Sequence, residues 1–183
     1  MSELLIIWWS RTGASEQLSI AAEQGARSCA ATSARESVRQ IVLEGTSPSV
    51  PPRVLRLRCD EVEPGHLLNH AAYLFICPEN LGSMAGMMKE FFDRCYYPLL
   101  EKIAGRPYAC IVSAGSDGQG AVRQIARIAT GWRLNLVNEA LIVNLSAQTA
   151  EQILAPKTVP APELRRAVEL GALLAQGLEL GIF

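Results

Sequence analysis

The strongest constraint on this chain is the run Leu4-Leu5-Ile6-Ile7-Trp8-Trp9, which stops abruptly at Ser10-Arg11-Thr12-Gly13-Ala14-Ser15. Six apolar residues without alternation predict a strand buried on both faces, as in a parallel sheet. Leu18, Ile20, Ala21, Ala22 and Gly25 follow at spacings that suit a helix packed closely on that sheet. A buried strand that enters a helix through hydroxyls and one glycine makes a loop suited to an anion. Unpaired helix N–H groups and the helix dipole both favour negative charge there. An ordinary strand-to-helix turn with a serine cap has the same residues. The loop is not the triphosphate loop, since no Gly-Lys-Ser/Thr follows. Nor is it the GxGxxG fingerprint, since Gly13 is its one glycine.

The remaining chain alternates in the same way. Arg53–Arg58 alternates charged and apolar residues, which predicts an edge strand with one wet face. Ala71–Cys77 is a second buried run, ending in Pro78-Glu79-Asn80-Leu81-Gly82-Ser83. Met84, Met87, Met88, Phe91, Phe92 and Cys95 then mark the core stripe of a helix that Ser83 is expected to cap. Asp93 and Arg94 are expected to pair at the end of that helix. Tyr108–Val112 is a third buried run and ends in Ser113-Ala114-Gly115-Ser116-Asp117-Gly118-Gln119-Gly120. Three glycines there predict a close backbone approach or a sharp bend. Ala121–Thr130 reads as a helix. Trp132–Leu145 reads as a last extended region interrupted at Asn138-Glu139, and Glu163–Leu180 as a terminal helix. Between Ala30 and Pro52 the pattern is weak: Val38, Ile41 and Val42 suggest that a helix restarts, before a loop from Gly45 to Pro52.

Alternating strands and helices predict a doubly wound α/β fold. Five parallel strands fit the chain, at about 4–9, 53–58, 71–77, 108–113 and 134–144, in the order 2-1-3-4-5. Ligands of such sheets sit beyond the carboxyl ends of the strands, where the strand order reverses. The three unusual loops follow strands 1, 3 and 4, so the fold gathers them at one pocket.

Composition narrows the function. The net charge of -1 gives no basic excess for nucleic acid and no acidic surface for basic partners. No apolar run has the length of a membrane span, and the first strand is too short, without a basic flank, for a signal peptide. The five cysteines are odd in number and lack CxxC spacing, which predicts free, mostly buried thiols in a reducing cytoplasm. His66 and His70 are four apart, but they lack a third ligand, and solvated histidines are the expectation rather than a metal site.

The loops carry a family resemblance. Ser10-x-Thr12-Gly13-x-Ser15 after a first strand resembles the phosphate loop of the flavodoxin-like flavoproteins. The block Pro78-Glu79-Asn80-Leu81-Gly82-Ser83 through Phe91-Phe92-Asp93-Arg94 is similar to their second, more specific block. The likeness spans roughly residues 3 to 145, and within the superfamily the NAD(P)H-dependent flavin and quinone reductases look closest. It implies a three-layer flavodoxin-like sandwich in a single domain, with FMN as cofactor and NAD(P)H as co-substrate. Ser10, Arg11, Thr12, Gly13, Ala14 and Ser15 would wrap the FMN phosphate. Pro78, Glu79, Asn80, Leu81, Gly82 and Ser83 would follow one edge of the flavin ring. Ala114, Gly115, Ser116, Asp117, Gly118 and Gln119 would border its other side.

The chain departs from the family in three places. The aromatic residue common near Asn80 or Leu81 is missing, Glu79 puts a negative charge near the ring, and Ser15 stands where threonine is common. The implied reaction is hydride transfer from NAD(P)H through FMN to a quinone or similar small acceptor, with no side chain required as acid or base. A one-electron flavodoxin carrier and a non-catalytic binding module are the alternatives. Asp117 and Glu79 read as solvated loop charges. A homo-oligomer is expected, with Tyr96–Leu100 as a candidate apolar contact.

Overall fold

The computed structural model describes residues 3–44 and 53–183, with side chains given for 3–29 and 53–183. Its elements are β1 (Glu3–Trp8), α1 (Ala14–Glu44), β2 (Arg53–Arg58), α2 (Pro64–Leu68), β3 (Ala72–Asn80), β4 (Ser83–Met84), α3 (Gly86–Leu99), β5 (Pro107–Ala114), α4 (Gln119–Gly131), β6 (Asn135–Leu136), β7 (Leu141–Asn144), α5 (Ala150–Leu154) and α6 (Ala161–Leu180). The sheet runs β2-β1-β3-β5-β6, and β7 also pairs with β5. All these pairings are parallel. That is the expected order 2-1-3-4-5, with the fifth strand broken into β6 and β7 around Asn138-Glu139.

Successive side chains of a strand point to opposite faces, and each buried strand supplies both layers of the core. Leu5, Ile7, Tyr73, Phe75, Cys77, Cys110 and Val112 face α3 and α4, where Met88, Phe91, Phe92, Ile125 and Trp132 cover them. Leu4, Ile6, Leu74, Ile76 and Ile111 face α1 and α6, against Leu18, Ala22, Leu170 and Leu174. Continuous hydrophobicity in β1, β3 and β5 therefore reflects helices on both sides of the sheet. At the edge, β2 keeps Arg53 and Arg58 exposed. The Arg56 and Arg58 guanidinium groups lie over the Trp8 and Trp9 rings, at 5.2 and 5.1 Å from the ring centres.

Several expectations need correction. The sheet has seven strands rather than five. β3 continues past Cys77 to Asn80 and turns back as a short antiparallel arm, with Glu79 opposite Met84 and Asn80 opposite Ser83. Met84 is therefore buried in β4 and not in the helix. Ser83 caps nothing: α3 starts after Ala85, and the Ser83 hydroxyl donates to Gln124 Oε1 at 2.9 Å. Asp93 and Arg94 do not pair with each other. Lys89 binds Asp93, while Arg94 binds Glu90 and the carbonyls of Cys59 and Val62. Both residues sit more than a turn before the end of α3, with their partners at i−4 on the same helix face.

The first helix runs unbroken for 31 residues instead of restarting. The expected Gly45–Pro52 loop lies outside the described residues. Gly25 serves helix–helix rather than helix–sheet packing: a Cβ there would stand 1.9 Å from the Val168 carbonyl oxygen of α6. His70 is buried rather than solvated, with Nδ1 against the His66 carbonyl and Nε2 3.8 Å from Glu3. The cysteines are free, as expected, and all but Cys29 are buried. Among the described residues, no helix is long and apolar enough to cross a membrane.

Candidate functional site

The carboxyl ends of β1, β3 and β5 bring three loops to one cavity of about 330 Å³. Of the residues expected there, Arg11, Thr12, Ala14, Pro78, Glu79, Asn80, Leu81, Gly82, Ala114, Gly115 and Ser116 line it. Ser10, Gly13, Ser15, Ser83, Asp117, Gly118 and Gln119 do not line it.

At one end, Ser10 Oγ accepts the Gly13 N–H at 3.0 Å and closes the turn, with Gly13 at φ 89°. The fully buried Ser15 hydroxyl is 2.8 Å from the Ser113 hydroxyl, tying the first turn of α1 to the end of β5. Of the three hydroxyls in this loop, those two are engaged within the protein, and Thr12 is the one that lines the cavity. The opening turn of α1 also leaves N–H groups without intrahelical acceptors.

At the other end, β3 and β4 make a tight hairpin whose turn residues, Leu81 and Gly82, have φ 53° and 69°. Two successive left-handed residues match the twist of a two-residue hairpin. Leucine is an uncommon choice there, and its side chain projects fully into solvent. Packed against the hairpin, Gly118 has φ 88° and Gly120 approaches Gly82 so closely that a Cβ would fall 2.0 Å from its carbonyl oxygen. The glycine-rich third loop thus does both things its sequence predicts. The Asn144 side chain donates to the Ser116 carbonyl and steadies that loop from β7.

Glu79 is not a solvated charge. Its carboxylate accepts the N–H groups of Gly118 and Ala121, each at 2.9 Å. Asp117, in contrast, is exposed. Beneath the hairpin, burial pushes the Cys77 thiol up to about 12 and the Cys110 thiol up to about 12. Neither is a thiolate at neutral pH, so neither is a nucleophile.

The structure also places Ser113, the first residue of the expected third loop, in the cavity wall, and it adds Leu145, Ala147, Ile153 and Lys157, which the sequence reading missed. Leu145 and Ala147 follow the last strand, so the rule that placed the other loops also reaches them. Thr149-Ala150-Glu151-Gln152 is a capping-box sequence and starts α5, with the Thr149 hydroxyl accepting the Gln152 N–H. Lys157 carries no local signal. Its ammonium binds the carbonyls of Gln152, Ile153 and Ala155 at the end of α5, and its backbone N–H donates to the Thr12 carbonyl at 2.8 Å.

A phosphate attached to a planar ring matches this shape and donor set. A hydroxyl and helix N–H groups stand at one end, with Arg11 beside them. At the other end, backbone and small or apolar side chains flank a slot between the hairpin and the third loop.

Comparison with known proteins agrees. Residues 66–148 match the family described as NADPH-dependent FMN reductase. An NAD(P)H dehydrogenase (quinone) of Brucella melitensis is 27% identical over 165 residues, covering 84% of this chain and 75% of that protein. The protein of the same description from Brucella ovis aligns equally well. Among solved structures, a flavodoxin from the domain Archaea has a TM-score of 0.69 at 14% identity, covering 97% of this chain and 99% of its own. A flavodoxin, WrbA-like protein from Agrobacterium tumefaciens has a TM-score of 0.62 at 14% identity, covering 98% and 99%. The chain is a flavodoxin-like protein related to the NAD(P)H-dependent FMN reductases.

Proposed function

We propose that this protein is an FMN-dependent oxidoreductase that draws reducing equivalents from NAD(P)H and passes them to a quinone-like small acceptor. The observation that carries the reading is the single cavity that joins a hydroxyl-bearing helix N-terminus to a slot between two ordered loops. The names of the sequence relatives support the nicotinamide donor and the quinone acceptor.

FMN, when bound, supplies the capacity to accept hydride and to release electrons, and the protein supplies position and electrostatics. Thr12 and the first N–H groups of α1 hold the phosphate, with the helix dipole offsetting its charge. Arg11, exposed at the rim, adds a cation that draws anionic nucleotides toward the cavity. The hairpin residues Pro78 to Gly82 and the loop residues Ala114 to Ser116 hold the ring from two sides. Leu81, Leu145, Ala147 and Ile153 give an apolar approach in place of an aromatic stack, which suits a flat, weakly polar acceptor. No side chain is assigned as acid or base.

The purified protein is expected to bind FMN with a visible flavin spectrum. Oxidation of NADH or NADPH should be stimulated by a soluble quinone. A protein with no affinity for FMN would overturn the cofactor assignment. One that binds FMN yet leaves both nicotinamides unoxidised would overturn the enzymatic one.

A further inference from the structure

We propose that Glu79 is a positioning residue: its carboxylate joins the second and third loops into one body and so preforms the slot for the flavin ring. The inference rests on the FMN reading above and deepens it. Helix α4 begins after Gly118, which has no side chain and cannot cap the helix itself. The opening N–H groups of a helix need acceptors from elsewhere. Glu79 reaches them from β3, 39 positions earlier in the chain: Oε1 takes the Gly118 N–H and Oε2 the Ala121 N–H, both at 2.9 Å. A carboxylate suits this place because the N-terminal end of a helix is electropositive.

Two further contacts fix the same joint. Gly120 packs directly on the Gly82 carbonyl. One turn along α4, Gln124 Oε1 accepts from the Ser83 hydroxyl at 2.9 Å and from the Met84 N–H at 3.0 Å. The hairpin and the start of α4 are therefore held together from three points, and the cavity lies on one side of that joint. Glu79 itself lines the cavity. Its negative charge faces the ring site but is partly offset by the helix end, and this resolves the apparent conflict between an acidic residue and a flavin that gains electrons.

The length and the charge of the side chain have separable effects. Glu79→Gln keeps the length but loses the charge and one acceptor, so that its amide N–H₂ opposes a backbone N–H. Glu79→Asp keeps the charge but is too short to bridge both donors.

Amide hydrogen exchange of the FMN-free proteins reads the joint, and FMN titration with potentiometry reads its consequence. In Glu79→Gln, Gly118 and Ala121 are expected to exchange at least about tenfold faster. FMN affinity should fall about tenfold or more, and the flavin midpoint potential should become more positive because a negative charge near the ring is gone. Glu79→Asp should show the faster exchange while its potential stays near that of the parent. Unchanged protection at Gly118 and Ala121 in both variants overturns the proposal. So does faster exchange with parental FMN affinity and potential, which makes the contact a cap without a positioning role. If the parent protein takes up no FMN, the cofactor reading falls, while the exchange comparison still decides whether Glu79 holds the loops together.

Discussion

The two ends of the cavity are held in different ways. At the phosphate end, a remote segment is strapped across a local motif by one backbone bond, Lys157 N–H to the Thr12 carbonyl, and by the bonds of one side chain. Gln17 Nε2 donates to the carbonyls of Gly13 and Lys157, at 3.1 and 2.7 Å, and its Oε1 accepts the Val159 N–H at 3.0 Å. The neighbouring α5 contributes no buried residue. At the ring end, backbone meets backbone at Gly82 and Gly120, and a carboxylate spans the joint. In the first arrangement one amide side chain makes three of the bonds, beside the backbone bond from Lys157 to Thr12. The second tolerates no added atom. The phosphate end therefore rests mainly on one replaceable side chain, while the ring end rests on a backbone contact with no room for a Cβ.

The largest expected effect comes from charge at the phosphate end. Thr12→Glu should weaken FMN binding by about 100-fold or more, about 3 kcal/mol, without unfolding the protein, because residue 12 is only half-buried. Flavin titration together with a thermal melt checks both halves. Parental affinity would reduce the loop to a turn.

Gly120→Val should break the ring end. Its branched side chain meets the Gly82 backbone, which cannot rotate away, at a cost of about 2–3 kcal/mol by chemical denaturation. FMN binding should be lost in parallel.

The strands beneath the ring end give a pH test. Burial is the main cause that pushes Cys77 and Cys110 up to about 12 from the ordinary 9.0. The folded state keeps protons that the unfolded chain releases, so their contribution to stability is complete below pH 9.0 and is lost as pH rises toward about 12. Urea midpoints measured from about pH 8 to about pH 10.5 should fall, and Cys77→Ala should make that decline shallower.

Gln17→Leu should loosen the strap, at about 1–2 kcal/mol for the lost bonds. Faster hydrogen exchange should appear at Lys157 and Val159 but not at Gly118. Equal changes at both ends would show that they are mechanically coupled. The smallest effect has the opposite sign: Leu81→Asn should stabilise by about 0.5–1 kcal/mol, since asparagine tolerates φ 53° and the leucine side chain packs on nothing. A lower melting temperature would assign Leu81 a contact of its own.

Much of this arrangement is legible in local sequence. The runs Leu4–Trp9, Ala71–Cys77 and Tyr108–Val112 are apolar at every position because both sheet faces are covered, which identifies parallel strands and hence the end of the sheet where loops gather. Ser10–Ser15 and the glycines of Ser113–Gly120 announce their backbone geometry, since few residue types adopt it. Glu79, Ser83 and Asp93 were misread for a shared reason: a polar side chain shows its type in the sequence but not its partner. Glu79 bonds residues 118 and 121, and Ser83 bonds Gln124.

Lys157 and Ile153 were missed because a cavity wall supplied from 140 residues away leaves no periodicity to read. Hydrophobic periodicity and turn chemistry are local, and they mark the main buried strands and the loops that follow them; the order of the strands comes from the doubly wound pattern those elements imply. Partner choice, loop closure and the two N–H groups that meet the Glu79 carboxylate arise from chain segments that come together only once the sheet is wound, because hydrogen bonds depend on distance in space and not along the chain.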